Sequence, residues 1–543
     1  MIKNILHLLV IILAVLLLCN FGMAKEVVPD YWPTQGWRTS DPESQGMKSK
    51  ILVNMLDMIL KKDLDIHNVL VIRNGYIVLD AYSFPRDSDR KHNIFSCSKS
   101  VTSALIGIAI DKGFIKDSDQ PVLDFFPKLV PKNLDANKKA MTLEHLLTMT
   151  PGLKCRDSYQ YHYSGLNKMK GSSDWVQYMI NLPMAEAPGT RFEYCNGATF
   201  LLSAILQEQT GMNALSFARK YLFGPLGISD VVWPSNPQGI TLGYGRIYMR
   251  PRDMAKIGYL YLKNGVWGNK QIISSQWVKT STSKHVFATL MFPGYGYQWW
   301  IADQGIYMAV GHQGQFIFVV PEKDLIVVFT SGLSIEDFYI PFVLLHSYII
   351  SAAESSRPLP ENPEGEKELK SLTTLWQTKT PWDRRKIVEK KPSQRSKLEG
   401  YVNNEYGFSA KYDAELLSVR SQLIPPVVFR RIGLRGLPVF AVMVDDIPLK
   451  MALENTGKYM IDFYKKIFKI HDPKLSKQKL IKLSDGTEAN YFEISWRYQS
   501  VKILTVGVFA YQNNKMIGAV AVGMIGTSVK YLANMAKSLR LNN

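Results

Sequence analysis

Ser96-Cys97-Ser98-Lys99, running on into Ser100-Val101-Thr102-Ser103-Ala104-Leu105-Ile106-Gly107-Ile108-Ala109, is the stretch from which the rest of the chain can be read. The spacing predicts a helix over 98–112, with apolar residues at Val101, Leu105, Ile108 and Ala109 and a stop near Gly113. A serine three residues before a lysine on one helical turn puts a hydroxyl and an amine on the same face. An amine in a partly desolvated site loses basicity and can take the hydroxyl proton, which turns a weak nucleophile into a useful one. The tetrapeptide alone carries little, because an N-cap serine followed by a surface lysine gives the same letters. Its company adds to it. Tyr194-Cys195-Asn196 follows about a hundred residues later, and Gly311-His312-Gln313-Gly314-Gln315 stands at the lip of an apolar run. A phenol can relay a proton and an amide can hold a carbonyl. A backbone N–H beside a glycine can approach an oxyanion closely.

Outward from that centre, Asn68 to Gly75 followed by Tyr76-Ile-Val-Leu79 reads as a hairpin about Asn74-Gly75. Further helices are expected from Thr142 towards the stop at Pro151-Gly152, and over Thr199–Gln209 before Gly211. Gln315–Val320 and Leu325–Thr330 read as a strand pair joined by Pro321 to Asp324. Strands, then mainly helices, then strands imply an α/β (α+β) core of about 300 residues. Residues 354–398, rich in Pro, Glu and Lys, read as a linker or arm. From Glu399 strand-like runs return (Val427–Phe429, Val439–Val444, Ile503–Ala510), with helical stretches expected over Met451–Ile470 and Ser528–Leu539. That gives a separate α+β domain over 399–543.

The chain has 543 residues, 46% hydrophobic and 21% charged, which excludes wholesale disorder. Its formal net charge is +18. Lys and Arg outnumber Asp and Glu by 31 to 19 from Glu354 onward and by 34 to 28 before it, so the excess is mostly C-terminal. Such an excess is expected as a solvated face, with an anionic envelope surface as its possible partner and no nucleic acid. At the N-terminus, Lys3, the apolar Ile5–Cys19 and Gly22-Met23-Ala24 read as a secretory signal, residues 1–24, cleaved after Ala24. An uncleaved single-span anchor is the alternative reading. The body of the protein is therefore expected to be exported, periplasmic or secreted. Cys97, Cys155 and Cys195 would then be an odd set, with at least one thiol free or paired elsewhere. Cys97 and Cys195 read as small buried cysteines beside the site, in preference to a disulfide or a thiol nucleophile. His145 and His162 lack metal-spaced partners, and no metal or cofactor is expected. Tyr159–Tyr163 reads either as a solvated aromatic loop or as one wall of a substrate cleft.

Ser96-x-x-Lys99, Tyr194-x-Asn196 and His312-x-Gly314, in that order, resemble the serine hydrolases of the class C β-lactamase and penicillin-binding-protein superfamily. So do Leu143–Leu153, Pro188–Asn196, Arg250–Gly258 and Tyr295–Trp300. Gly46-Met47 and Asp111–Ile115 resemble its carboxylesterase and 6-aminohexanoate-dimer-hydrolase branch. The resemblance spans about residues 35 to 350 and implies a β-lactamase/transpeptidase-like fold, an antiparallel sheet plus a helical subdomain, over residues 25–353. It implies Ser96 as acylated nucleophile, Lys99 as base or relay, and Tyr194 as second acid/base. Asn196, His312, Gly314 and Gln315 would meet the substrate, with the backbone N–H groups of Ser96 and Gln315 as oxyanion donors. His312 stands where true β-lactamases have lysine. A mostly neutral group there favours esters or small amides, including cell-wall-derived ones, over β-lactams. The alternatives are a β-lactamase or D-alanyl peptidase, or a non-catalytic binding protein of the same fold. Residues 399–543 resemble the small α+β fold of PsbP and Mog1 proteins.

Overall fold

The computed structural model describes residues 29–378 apart from 156, 158–163, 290–291 and 335–336, and, within 398–541, the strands given below together with Leu483. The expected signal segment, the Tyr159–Tyr163 stretch, His162 and the helices expected over 451–470 and 528–539 lie outside the described residues. Among the described residues no helix is long and apolar enough to cross a membrane.

Elements used below are α1 (Ser49–Lys61), β1 (Ile66–Arg73), β2 (Tyr76–Tyr82), α2 (Ser98–Asp111), α3 (Asn196–Thr210), α4 (Pro251–Leu262), β3 (Tyr307–Gly311), β4 (Gln315–Val320), β5 (Leu325–Ser331) and α5 (Pro363–Thr378). The main sheet is antiparallel in the order β2-β1-β5-β4-β3, extended by the two-residue strands Trp300–Ile301, Gly294–Tyr295 and Val286–Phe287. The expected hairpin is β1–β2, with Asn74 and Gly75 both at positive φ (52° and 84°), as the twist of a two-residue hairpin requires. β1 lies against β5, Val69 opposite Phe329 and Val71 opposite Val327, so an early strand and a late one close the sheet's middle.

Successive side chains alternate between two buried layers. Leu70, Ile72, Ile317, Val319, Ile326 and Val328 pack with α2, α3 and α4 on one face. Val69, Val71, Phe316, Phe318, Val327 and Phe329 pack with α1 and α5 on the other. Because both faces are covered, these strands read as unbroken apolar runs although they are antiparallel. α1 turns Leu52, Met55, Leu56 and Ile59 to the sheet at helical spacing. α2 is buried on nearly every side. Its hydroxyls bond inwards: Ser100 Oγ donates to the Gln298 carbonyl (2.7 Å) and Thr102 Oγ1 to that of Gly243 (2.8 Å).

Three readings need correction. The helix after Thr142 is short, Leu143–Leu147: a Thr142/His145 capping box starts it, and it ends at Thr148 rather than at Pro151-Gly152 because Met149 turns to positive φ (58°). The stretch 354–398, read without periodicity, contains α5, which buries Leu369 and Trp376 on the sheet's outer layer. Cys195, read as a thiol, is joined to Cys155 by a disulfide, while Cys97 is free and buried. The pairing needed two loops to meet, which spacing does not reveal.

The described C-terminal strands form a seven-stranded antiparallel sheet in the order Leu417–Val419, Val427–Arg431, Pro438–Asp445, Lys515–Met524, Val501–Gln512, Glu488–Tyr498, His471–Lys482. Leu398–Asn403, Phe408–Asp413 and Arg540–Leu541 form a second sheet. All three runs expected as strands there are strands.

Candidate active site

Ser96 lies half-buried in the 3₁₀ turn Phe95–Cys97 that leads into α2. Phe95 has φ +46°, a conformation uncommon for a residue with a side chain and held only where neighbours over-determine it. Here the Phe95 N–H donates to Asn93 Oδ1 (3.0 Å) and its carbonyl accepts from Ser98 Oγ (2.6 Å). The twist at Phe95 thus presents Ser96 at the head of a buried helix.

One turn on, Lys99 is 1% exposed. Its Nζ donates to Ser96 Oγ (3.1 Å), Asn196 Oδ1 (2.8 Å) and the Tyr244 carbonyl (2.7 Å). Burial pushes its pKa down to about 7, against the attraction of Asp157. The two carbonyl oxygens can only accept, so a neutral Lys99 spends both its hydrogens on them. Its lone pair is then left facing Ser96 Oγ.

Tyr194 flanks the amine, its ring centroid 4.8 Å from Lys99 Nζ and stacked on Trp300 at 6.0 Å. Phe192 and Tyr295 pack on Trp300 in turn. Asn196 starts α3, with its backbone N–H on Asp157 Oδ2 (2.8 Å) and its side-chain oxygen taken by Lys99. A substrate carbonyl would meet the amide's nitrogen. The buried Asp157 carboxyl is pushed up by desolvation, its largest influence, while N–H donors from Asn196, Leu166 and Gly197 act the other way. The Cys155–Cys195 bridge ties the residue two before Asp157 to the one before Asn196.

The third element is the β3–β4 turn. His312, Gln313 and Gly314 form it, with Gln313 and Gly314 at positive φ (62° and 82°). His312 reaches solvent but packs edge-on to Phe95 with ring centroids 5.5 Å apart, and the hydration it loses on that side lowers its pKa, which keeps it neutral near pH 7. The Gln315 side chain is fully committed: Nε2 donates to the His312 and Ser331 carbonyls (3.0 and 2.7 Å) and Oε1 accepts from Ser331 N–H (3.1 Å). Only its backbone can serve a ligand. Gly311 has the Ile94 carbonyl where a Cβ would stand, so only glycine lets β3 end against the Ser96 segment. Cys97 Sγ donates to the Gln315 carbonyl (3.4 Å), linking that segment to β4.

The structure therefore brings Ser96, Lys99, Tyr194 and Asn196 into one cluster, with His312 beside Phe95 at its edge. Reading the sequence missed Phe95, Asp157, the Tyr244 carbonyl and the stacking role of Trp300. Among the described residues no group of three or more His, Cys, Asp or Glu is arranged to hold a metal ion.

An antiparallel sheet covered by helices, with a buried lysine bonded to a serine at a helix head, defines the class: a β-lactamase/transpeptidase-like serine hydrolase fold. Residues 66–336 match the family model described as Beta-lactamase, and the chain belongs to that family. It is similar to the 6-aminohexanoate-dimer hydrolase of Paenarthrobacter ureafaciens, 24% identical over 282 residues that cover 48% of this chain and 70% of that protein. Among solved structures it is similar to a hydrolase with promiscuous acyltransferase activity (16% identity, 58% of this chain and 99% of that one, TM-score 0.48). Another is the octameric penicillin-binding protein homologue of Pyrococcus abyssi (15% identity, 87% and 99%, TM-score 0.46).

Proposed function

We propose that the protein is an exported serine hydrolase that cleaves an ester or small amide through an acyl-enzyme on Ser96. The observation that carries this reading is the Lys99 environment, a buried amine with a pKa of about 7 whose lone pair, when neutral, points at Ser96 Oγ. As Ser96 Oγ bonds to the substrate carbonyl carbon, its proton passes to Lys99, and the negative oxygen is received by the backbone N–H groups of Ser96 and Gln315. Collapse breaks the bond to the leaving group, which departs as alcohol or amine with a proton from the Lys99/Tyr194 pair. Water then attacks the acyl carbon with the roles reversed and frees Ser96.

His312 supports uncharged substrates. A fixed cation facing a carboxylate contributes about 1.5–3 kcal/mol; a neutral imidazole gives up most of that and avoids desolvating an ammonium beside an uncharged acyl chain. Export is supported by the N-terminal sequence and by the Cys155–Cys195 bridge, which belongs in an oxidising compartment.

The test pairs a short p-nitrophenyl ester with a fluorophosphonate probe. Ser96→Ala is expected to lower turnover by several orders of magnitude and to abolish labelling, with the wild-type label on the peptide holding Ser96. A variant retaining more than about a tenth of wild-type turnover, against those orders of magnitude, would falsify the assignment.

A further inference from the structure

A row of polar groups runs from the sheet to the Ser96 segment, and the acyl-enzyme steps do not use it. Asp65 precedes β1; His67 is the second residue of β1 and buried; His92 lies on the short strand His92–Asn93, paired with Tyr248–Met249. Asp65 Oδ1 is 2.9 Å from His67 Nε2, and His67 Nδ1 is 2.7 Å from His92 Nε2. His92 Nδ1 is 3.2 Å from the Asn93 carbonyl, and Asn93 Oδ1 takes the Phe95 N–H at 3.0 Å. The next residue is Ser96. The end of β5 packs onto this row: a Cβ on Gly332 would collide with Asp65 Oδ2 and lie 3.1 Å from His67 Nε2.

The protons can be counted. The Asp65 carboxylate, whose pKa is lowered further chiefly by its hydrogen bond with His67, only accepts, and so does the Asn93 carbonyl. His67 Nε2 and His92 Nδ1 must therefore both carry hydrogen. The contact between the rings needs one more hydrogen, and only one. Three hydrogens on four ring nitrogens make the pair a monocation. Its charge could sit on either ring. On His67 it adjoins Asp65; on His92 it would face Arg86 and Arg90, and burial, the larger influence there, already pushes His92 down to about 4. His67 is the imidazolium and His92 the neutral member.

We infer that Asp65, His67 and His92 are positioning residues, a one-proton chain that fixes the Asn93–Phe95 turn and with it the place of Ser96. Loss of that proton leaves two acceptors facing each other somewhere along the row, and the turn loses one of its ties. The activity readout rests on the acyl-enzyme reading; the protonation state does not.

The test uses the full-length protein in three measurements. Nitrogen-15 NMR of labelled histidines, assigned with the two variants below, should show both His67 ring nitrogens protonated at neutral pH and His92 with one. Fluorophosphonate labelling should then separate the roles. His92→Gln supplies one donor and one acceptor and should label within about threefold of wild type, since no hydrogen bond is lost. His67→Gln cannot donate in both directions and should label about tenfold more slowly, the equivalent of one hydrogen bond. It should also lack the alkaline fall in labelling rate that wild type shows as the chain loses its proton. Thermal melting checks that each variant is folded, and if one is not, the wild-type NMR decides alone. A neutral His67 at neutral pH overturns the inference, and so does a folded His67→Gln with wild-type rate and profile. If wild type takes no label, the acyl-enzyme reading fails, while the NMR result still upholds or overturns the chain.

Discussion

Lys99 Nζ has three partners, and two of them, Asn196 Oδ1 and the Tyr244 carbonyl, cannot give a hydrogen back. The protonated amine satisfies all three and blocks Ser96; the neutral amine satisfies the same two and turns its lone pair to the hydroxyl. Activity should therefore follow deprotonation. With a pKa of about 7, kcat/KM for an uncharged ester should rise about tenfold per pH unit on the acid side, level off above neutrality, and fall again only at the alkaline pH where the Asp65–His67–His92 row loses its proton. Lys99→Arg, permanently charged, should lose several orders of magnitude at every pH. A profile highest at pH 4 and falling steadily upward would remove Lys99 as the base. The residues carrying this argument differ in how visible they were. Ser96 and Lys99 share one turn, so their meeting is a local fact of helix geometry that the letters reveal. The Tyr244 carbonyl has no signature, since every residue has one. Asp157 meets Asn196 where two loops, bridged by Cys155 and Cys195, come together. The Asp65–His67–His92 row joins segments twenty-five residues apart in the same way.

Among the elements, the strands of the main sheet were legible because both faces are buried and every position had to be apolar. α5 was not, because the stretch 354–398 that holds it is rich in Pro, Glu and Lys and the helix's apolar face is narrow. The signal was present all the same: Leu369, Leu372 and Trp376 fall at i, i+3 and i+7, and they meet the layer that includes α1. Trp376 is 2% exposed, and its carbonyl accepts from Phe84 N–H at 2.9 Å just beyond β2, so α5 holds the sheet's edge. Trp376→Ala removes a large ring from a closed layer and should cost about 3–5 kcal/mol. Thermal melting should show a drop of several degrees, with ester turnover at 25 °C nearly unchanged because the site lies on the sheet's other side. A melting temperature within a degree of wild type would mean that α5 is a loosely held arm after all.

At the scale of the whole molecule, the cysteines connect the site to where the protein works. Cys97 is buried against β4, and burial raises its thiol pKa, so it is an inert filler. Cys155 and Cys195 are the pair whose state matters, because their bridge spans a sequence separation of 40 and ends beside Tyr194 and Asn196. In the chain-entropy account, closing a loop of that length restricts the unfolded chain by about 4 kcal/mol. The same bridge holds Asp157 to the head of α3, so its loss should loosen Asn196 and the Lys99 it supports. Both effects follow from connectivity. The Cys155→Ser/Cys195→Ser protein should melt several degrees lower and hydrolyse an uncharged ester more slowly, with kcat lowered because Lys99 acts on Ser96 and KM raised because Asn196 meets the substrate. Wild type treated with a thiol reductant should move the same way, and the double variant should be indifferent to the reductant. Thiol counting under denaturing, non-reducing conditions gives the independent check. If wild-type protein recovered from an oxidising compartment shows Cys155 and Cys195 both as free thiols, the bridge does not form there. The argument for export that rests on it then goes as well, leaving only the N-terminal sequence to support that reading.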